Sequence, residues 1–269
     1  MKKYIYILPF FFILFACDKI EEGDRILDAE EVNTVRPALL EDFTGQNCTN
    51  CPRATKRAVN IQKALGENMV IVGIHAGSFA TATFKTAAGD AYQKKFYPSN
   101  YAYPAGMVDR TKFEGELVSV NDSKWGTYVW ERVQKTDMAL FDMSMTCDYN
   151  APDKSFIVNC SVKALTVAPE VKLQLWITES HIIGLQKDGE VIVRDYEHNH
   201  VLRDAVNGIW GESINLNVGF ETTYTSKPYS LAEKNWKPEN MHVVAFIYSD
   251  NNGEPGEVLH VIEIPMLNN

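Results

Sequence analysis

Cys48-Thr49-Asn50-Cys51 places two thiols three residues apart, a spacing at which a pair can close into a disulfide and reopen when a thiolate attacks it. Exchange of that kind needs one thiol acidified enough to attack and a second to resolve the mixed disulfide. Cys48 is read as the attacking or disulfide-donating residue and Cys51, one turn further on, as the resolving residue. A structural zinc site would need two more ligands at close spacing. The nearest histidine, His75, stands alone at the end of an apolar run, so neither a metal nor a cofactor is assigned. A disulfide kept permanently oxidised in a domain used for binding is the alternative, and the residues leave it open.

The surrounding pattern supplies the elements that must hold this pair. Residues 38–43 are a nearly continuous apolar stretch interrupted by Glu41 and Asp42, and Gly45 ends it; this is the composition of a buried strand. After Pro52, apolar residues recur at Ala54, Ala58, Ile61 and Leu65 up to Gly66, which predicts an amphipathic helix with proline in its first turn and glycine at its end. Cys48 is thus expected at or just before a helix N-terminus, where unpaired N–H groups favour the thiolate. A buried strand at residues 69–74, a short amphipathic piece at 92–96, a Pro-headed strand at 102–109 and a helix at 123–135 follow.

That order, with the Cys-x-x-Cys at the start of its first helix, resembles thioredoxin. The resemblance implies that Asp42, in Asp42-Phe43, accepts a proton from the resolving thiol. It also implies that Pro104 is a cis-proline and that the Tyr103-Pro104 loop faces the disulfide and docks a substrate backbone. Asn47 stands where thioredoxins carry tryptophan, Thr49-Asn50 replaces their usual dipeptide, and residues 76–100 are an insertion.

Upstream, Lys2 and Lys3 precede an apolar run at residues 4–16 that ends in Leu14-Phe15-Ala16-Cys17. The run is short of the roughly 20 residues a membrane-spanning helix requires, and it reads as a secretory signal segment. Its end resembles a lipobox, which implies removal of residues 1–16, lipid on Cys17 and attachment to a membrane beyond the cytoplasm, where disulfides persist. Residues 17–32 are acidic and polar and read as a tether.

Beyond about residue 138 the periodicity becomes two. Phe141, Met143, Met145, Cys147 and Tyr149 alternate with polar residues, 150–153 form a turn, and an alternating run resumes at 157–164. A hairpin centred between Asp153 and Lys154 would set Cys147 opposite Cys160, the basis for expecting a structural disulfide there. Further runs at 171–179, 214–220, 241–249 and 258–264 suggest a β-sandwich of immunoglobulin-like type. The expected fold is therefore an α/β thioredoxin-like domain at residues 33–137 followed by an all-β, immunoglobulin-like sandwich at 138–269. His198 and His200, in Tyr196-Glu197-His198-Asn199-His200, share a face in extended chain, as a metal pair would; the preferred reading is a polar loop bonded to itself.

The lipobox at Cys17, the segment ALLEDFTGQNCTNCPRA at 38–54 and YEHNHVLRD at 196–204 together resemble the lipoproteins related to outer membrane protein 28. The family implies an outer-membrane lipoprotein, with adhesion or receptor functions proposed for it. Composition narrows the partners. With 26 Lys and Arg against 35 Asp and Glu, a formal charge of −9, no basic run exists to neutralise phosphates, so nucleic acid is not expected. The expected partners are the membrane, through Cys17, and an extracytoplasmic protein or peptide. Two functions fit: thiol–disulfide exchange on such a partner, or ligand capture by a surface-displayed adhesin, with the aromatic residues Phe96, Tyr97, Tyr101 and Tyr103 beside Pro104 as a candidate groove.

Overall fold

The computed structural model describes residues 36–99, 102–135 and 141–267; Cys17, the signal segment, the tether, Tyr101 and the 137/138 boundary lie outside them. The apolar stretch after Pro37 forms β1 (Ala38–Thr44), buried along its whole length. Its parity divides the core. Leu39 and Phe43 point to one side of the sheet, Ala38 and Leu40 to the other. The helix α1 (Cys51–Leu65) follows with Pro52 in its first turn and Gly66 at its C-cap. Next come β2 (Met69–His75), α2 (Ala87–Phe96), β3 (Ala105–Val108) and α3 (Trp125–Val133). All sit close to the positions their periodicity predicts.

The described elements that follow are strands, apart from one 3-10 turn at Pro238–Asn240. β4 (Phe141–Asn150) and β5 (Ser155–Ala164) form a hairpin, followed by β6 (Val171–Glu179), β7 (Ile182–Asp188), β8 (Val191–His198) and β9 (Val201–Ala205). β10 (Glu212–Ile214), β11 (Glu221–Thr225) and β12 (Tyr229–Ser230) are short, and β13 (Met241–Asn251) and β14 (Glu254–Pro265) end the order. The run at 214–220 is not a strand. Gly219 takes φ +83° there, and Phe220 N–H closes a turn onto the Asn217 carbonyl.

The expected pairing of an α/β thioredoxin-like domain with a separate immunoglobulin-like sandwich is corrected by the sheet topology. The protein is mostly β-strand, and its main sheet runs β14-β13-β6-β9-β2-β1-β3, with β10 beside β6. Strands from both halves of the chain are therefore consecutive in one mixed sheet. The junction is β9, which lies parallel to β2 with Val201 opposite Gly73, and the Gly73 N–H donates to the His200 carbonyl at 2.8 Å. One continuous core confirms the merger: Leu39, Phe43 and Val72 pack in the same cluster as Trp176, Leu202 and Phe246. The sheet also curls. The Val258 N–H, within β14, reaches the Asp109 carbonyl just past β3 at 2.9 Å.

The opposite face is shared. α1 and α3 cover its β1-β2-β3 end, while a four-stranded sheet of β4, β5, β11 and β12 packs sandwich-fashion over β6, β13 and β14. Within that small sheet the expected Cys147–Cys160 disulfide is absent; both thiols are free and buried. Asn150 pairs with Ser155 around a turn in which Lys154 adopts φ +47°, so the hairpin is centred between Pro152 and Asp153. Moving the centre by one residue shifts every partner by two. Side chains keep their face, but Cys147 opposes Val158 and Cys160 opposes Met145. Burial pushes both thiols up to about 12.

Candidate functional site

Cys48 and Cys51 form a disulfide. Cys51 is the first residue of α1 and Asn50 its N-cap, without a side-chain capping bond, so Cys48 lies just before a helix end whose first N–H groups lack intrahelical partners. The loop that carries it from β1 is held from two directions. The Cys48 N–H donates to the Gly45 carbonyl at 3.0 Å, and the Asn47 N–H donates to the Phe79 carbonyl at 2.8 Å. Gly45 is required for this close approach, since a Cβ there would lie 2.4 Å from the Phe79 carbonyl carbon. The Tyr103–Pro104 peptide is cis. Tyr103 is buried with both cysteines in one cluster and packs its ring 5.0 Å from Phe79 and 6.5 Å from Phe43.

Asp42 is 2% exposed. Its Oδ2 accepts a long 3.5 Å bond from Thr55, and its Oδ1 has no hydrogen-bond partner among the described residues. Burial pushes its pKa up to about 7, with the charge of Asp122 adding to the rise and the Thr55 bond opposing it. A cavity of about 20 Å³ is lined by both Asp42 and Cys51, room for one water molecule. His75, His198 and His200 line the same cavity. Burial lowers all three, His198 and His200 to about 4 and His75 well below its ordinary value. They are neutral at pH 7, which leaves Asp42 as the cavity group that changes protonation near neutrality.

The lid of this site is the feature the sequence reading missed. β7 and β8 form a two-stranded ribbon of their own whose tip lies across the Cys-x-x-Cys loop. Gln186, buried in β7, donates from Nε2 to the Cys48 carbonyl at 2.9 Å and to the Gly45 carbonyl at 3.3 Å. The Lys187 N–H donates to the Gln46 carbonyl at 2.8 Å and the Gly189 N–H to the Thr49 carbonyl at 2.9 Å. Under this cover Cys48 and Cys51 are each 2% exposed. Gln186 reaches back 138 residues in sequence to Cys48, a pairing that no local pattern announces.

Other expected residues are spent on packing. Phe96 stacks over the Arg110 guanidinium at 4.8 Å, and the Tyr97 hydroxyl accepts from the Ala102 N–H. Arg110 makes a buried two-bond pair with Glu41 at 3.0 and 3.1 Å and is ringed by Tyr92, Phe96, Trp176, Phe246 and Tyr248. Glu197 and Asn199 bond to His181 and to each other; the segment expected as a polar loop is mostly strand, with Tyr196–His198 in β8 and Val201–Arg203 in β9, and only Asn199 and His200 connect them. Among the described residues no cluster of three His, Cys, Asp or Glu side chains is placed to hold a metal ion.

Fold and site together define a mostly β protein with a roofed Cys-x-x-Cys disulfide at a helix start. A model of the family described as outer membrane protein Omp28 matches residues 89–265. The chain belongs to that family, in agreement with the resemblance drawn from its motifs. Among solved structures, HBP35 of Porphyromonas gingivalis is similar over 86% of this chain and 75% of its own, with a TM-score of 0.70 at 15% identity, a likeness of fold. A domain of the outer membrane lipoprotein Omp28 from Porphyromonas gingivalis is similar at 25% identity over 49% of this chain and 92% of its own, with a TM-score of 0.32. No curated protein matches.

Proposed function

We propose that this chain is an outer-membrane lipoprotein, anchored through lipid on Cys17, that exchanges disulfides with extracytoplasmic polypeptides at Cys48 and Cys51 once the β7–β8 hairpin lifts. The observation that carries this reading is the buried Asp42 carboxyl, which shares a water-sized cavity with Cys51 and has a pKa raised to about 7. Burying a carboxyl with an unsatisfied oxygen costs stability, a cost expected where a group has chemistry to perform.

The steps balance in either direction. A substrate thiolate attacks the Cys48 sulfur, the Cys48–Cys51 bond breaks, and the departing Cys51 thiolate takes a proton from Asp42 across the cavity they share, which has room for one relaying water. A second substrate thiolate then attacks the mixed disulfide and releases Cys48 as a thiolate stabilised at the α1 N-terminus. The substrate dithiol becomes a disulfide and Cys48 and Cys51 become thiols; run backwards, Asp42 deprotonates Cys51 so that it can resolve the mixed disulfide. Tyr103 and Pro104, beside the pair, would support the substrate backbone.

The 2% exposure of both cysteines favours a second reading, in which the disulfide is a permanent staple and the protein captures a ligand. Cys51→Ser separates the two. In its reduced form, incubated with a disulfide-bonded peptide, exchange requires a mixed disulfide that accumulates on Cys48; a permanent staple gives none above the level at Cys147 or Cys160.

A further inference from the structure

A cleft of about 820 Å³ lies away from the disulfide, between the C-terminal end of α1, the start of β2, the β4 strand and the outer edge of β14. Its volume is within the range of about 300–1,000 Å³ typical of ligand sites. Three observations concern what would fill it. β14 ends the main sheet, and along Val261–Ile264 no described strand pairs with its outer edge, so a row of backbone donors and acceptors faces the cleft. The walls are mixed: Met69 and Val70 lie on one side, Met143 and Met145 on another, with Ile262 and Ile264 from β14 itself, and Gln62, Asn68 and Ser144 add neutral polar groups. Glu263 lines the same cleft, and its Oε1 is sealed from solvent with no hydrogen-bond partner among the described residues.

We propose that this cleft receives an extended peptide as an added strand along β14, with a lysine or arginine of the peptide paired to Glu263 and its neighbours on the apolar wall. Side chains alternate along β14, so Glu263 points to the opposite face from Ile262 and Ile264. An added strand alternates in the same way. A basic residue meeting Glu263 therefore places the residues before and after it against Ile262, Ile264, Met143 and Met145. Backbone bonds to the edge supply affinity and the alternating pockets supply selection. Lys63 and Glu67 at the rim offset each other, which leaves Glu263 to set the sign. Burial pushes the Glu263 pKa up to about 7, so an ionised Glu263 there would be stabilised by an incoming cation. This site is independent of the disulfide and of the exchange reading.

The test is fluorescence anisotropy of the full chain with fluorescein-labelled acetyl-Ile-Lys-Ile-Ser-Ile-amide. Saturable binding is expected, at least tenfold weaker when the peptide lysine is glutamate, and at least tenfold weaker when alternate peptide nitrogens are methylated to remove the edge donors. Glu263→Gln should abolish the preference for lysine over glutamate. Absence of saturable binding overturns the proposal. So does unchanged affinity of the methylated peptide, which needs no variant to fold, or a lysine preference that survives in Glu263→Gln.

Discussion

Gln186→Ala removes the side-chain part of the latch between the β7–β8 hairpin and the disulfide loop, leaving the two backbone bonds from Lys187 and Gly189 and every sulfur in place. Its side chain donates to two carbonyls of that loop, those of Gly45 and Cys48. Hydrogen bonds of this kind contribute about 0.5–1.5 kcal/mol each, so the closed hairpin should lose about 1–3 kcal/mol relative to the open one. That raises the open fraction about 5- to 150-fold. A two-stranded ribbon is marginal without such ties, and opening can be local. The assay is the rate at which excess dithiothreitol reduces Cys48–Cys51, read by alkylation and mass spectrometry. Reduction should accelerate by the same factor, whereas Ile183→Ser, a change on the hairpin at a side chain 62% exposed, should leave the rate near that of the parent chain. Equal rates for Gln186→Ala and the parent would refute the idea that the hairpin gates the disulfide.

Two further outcomes are expected. Asp42 has a folded-state pKa of about 7 against 3.8 as its ordinary value; a raised carboxyl favours the folded state when protonated, so that contribution is full below about pH 4, falls as pH rises through 4–7 and is gone above 7. At about 1.4 kcal/mol per unit the span is on the order of 4 kcal/mol, and denaturant titrations from pH 4 to 8 should show this decline in the parent chain and its loss in Asp42→Asn. Cys147 and Cys160, free and buried with pKa values of about 12, should resist iodoacetamide at pH 8 in the native protein and react within minutes in guanidinium without any reductant; a disulfide between them would block both reactions.

What could be read ahead of the structure was local. Apolar runs and punctuation by Gly45, Pro52 and Gly66 are properties of adjacent residues, and they located β1, α1 and the cysteines at the helix start. The period-two runs similarly marked β4, β5, β6, β13 and β14. What failed depended on distant pairing or on turn detail. β9 is five residues long, with Arg203 and Asp204 inside it, and shows no alternation, yet its place beside β2 joins the two halves into one sheet. Gln186 looks like an ordinary polar strand residue until the hairpin folds over Cys48. The register of β4 with β5 turned on whether the turn centres one residue earlier, and periodicity alone does not distinguish those alternatives because both bury the same face. Glu41 and Asp42 stood out as acids in an apolar strand, but only the packing assigns Glu41 to Arg110 and leaves Asp42 to Cys51.

The reduction potential of the Cys48–Cys51 pair in the full chain, equilibrated in glutathione buffers and read by alkylation of the two thiols, bears most directly on whether the disulfide exchanges. A pair that cycles should fall between about −120 and −270 mV, the span of known exchange proteins. A value below about −300 mV, where structural disulfides lie, would contradict exchange and leave the pair as a staple beneath the β7–β8 hairpin.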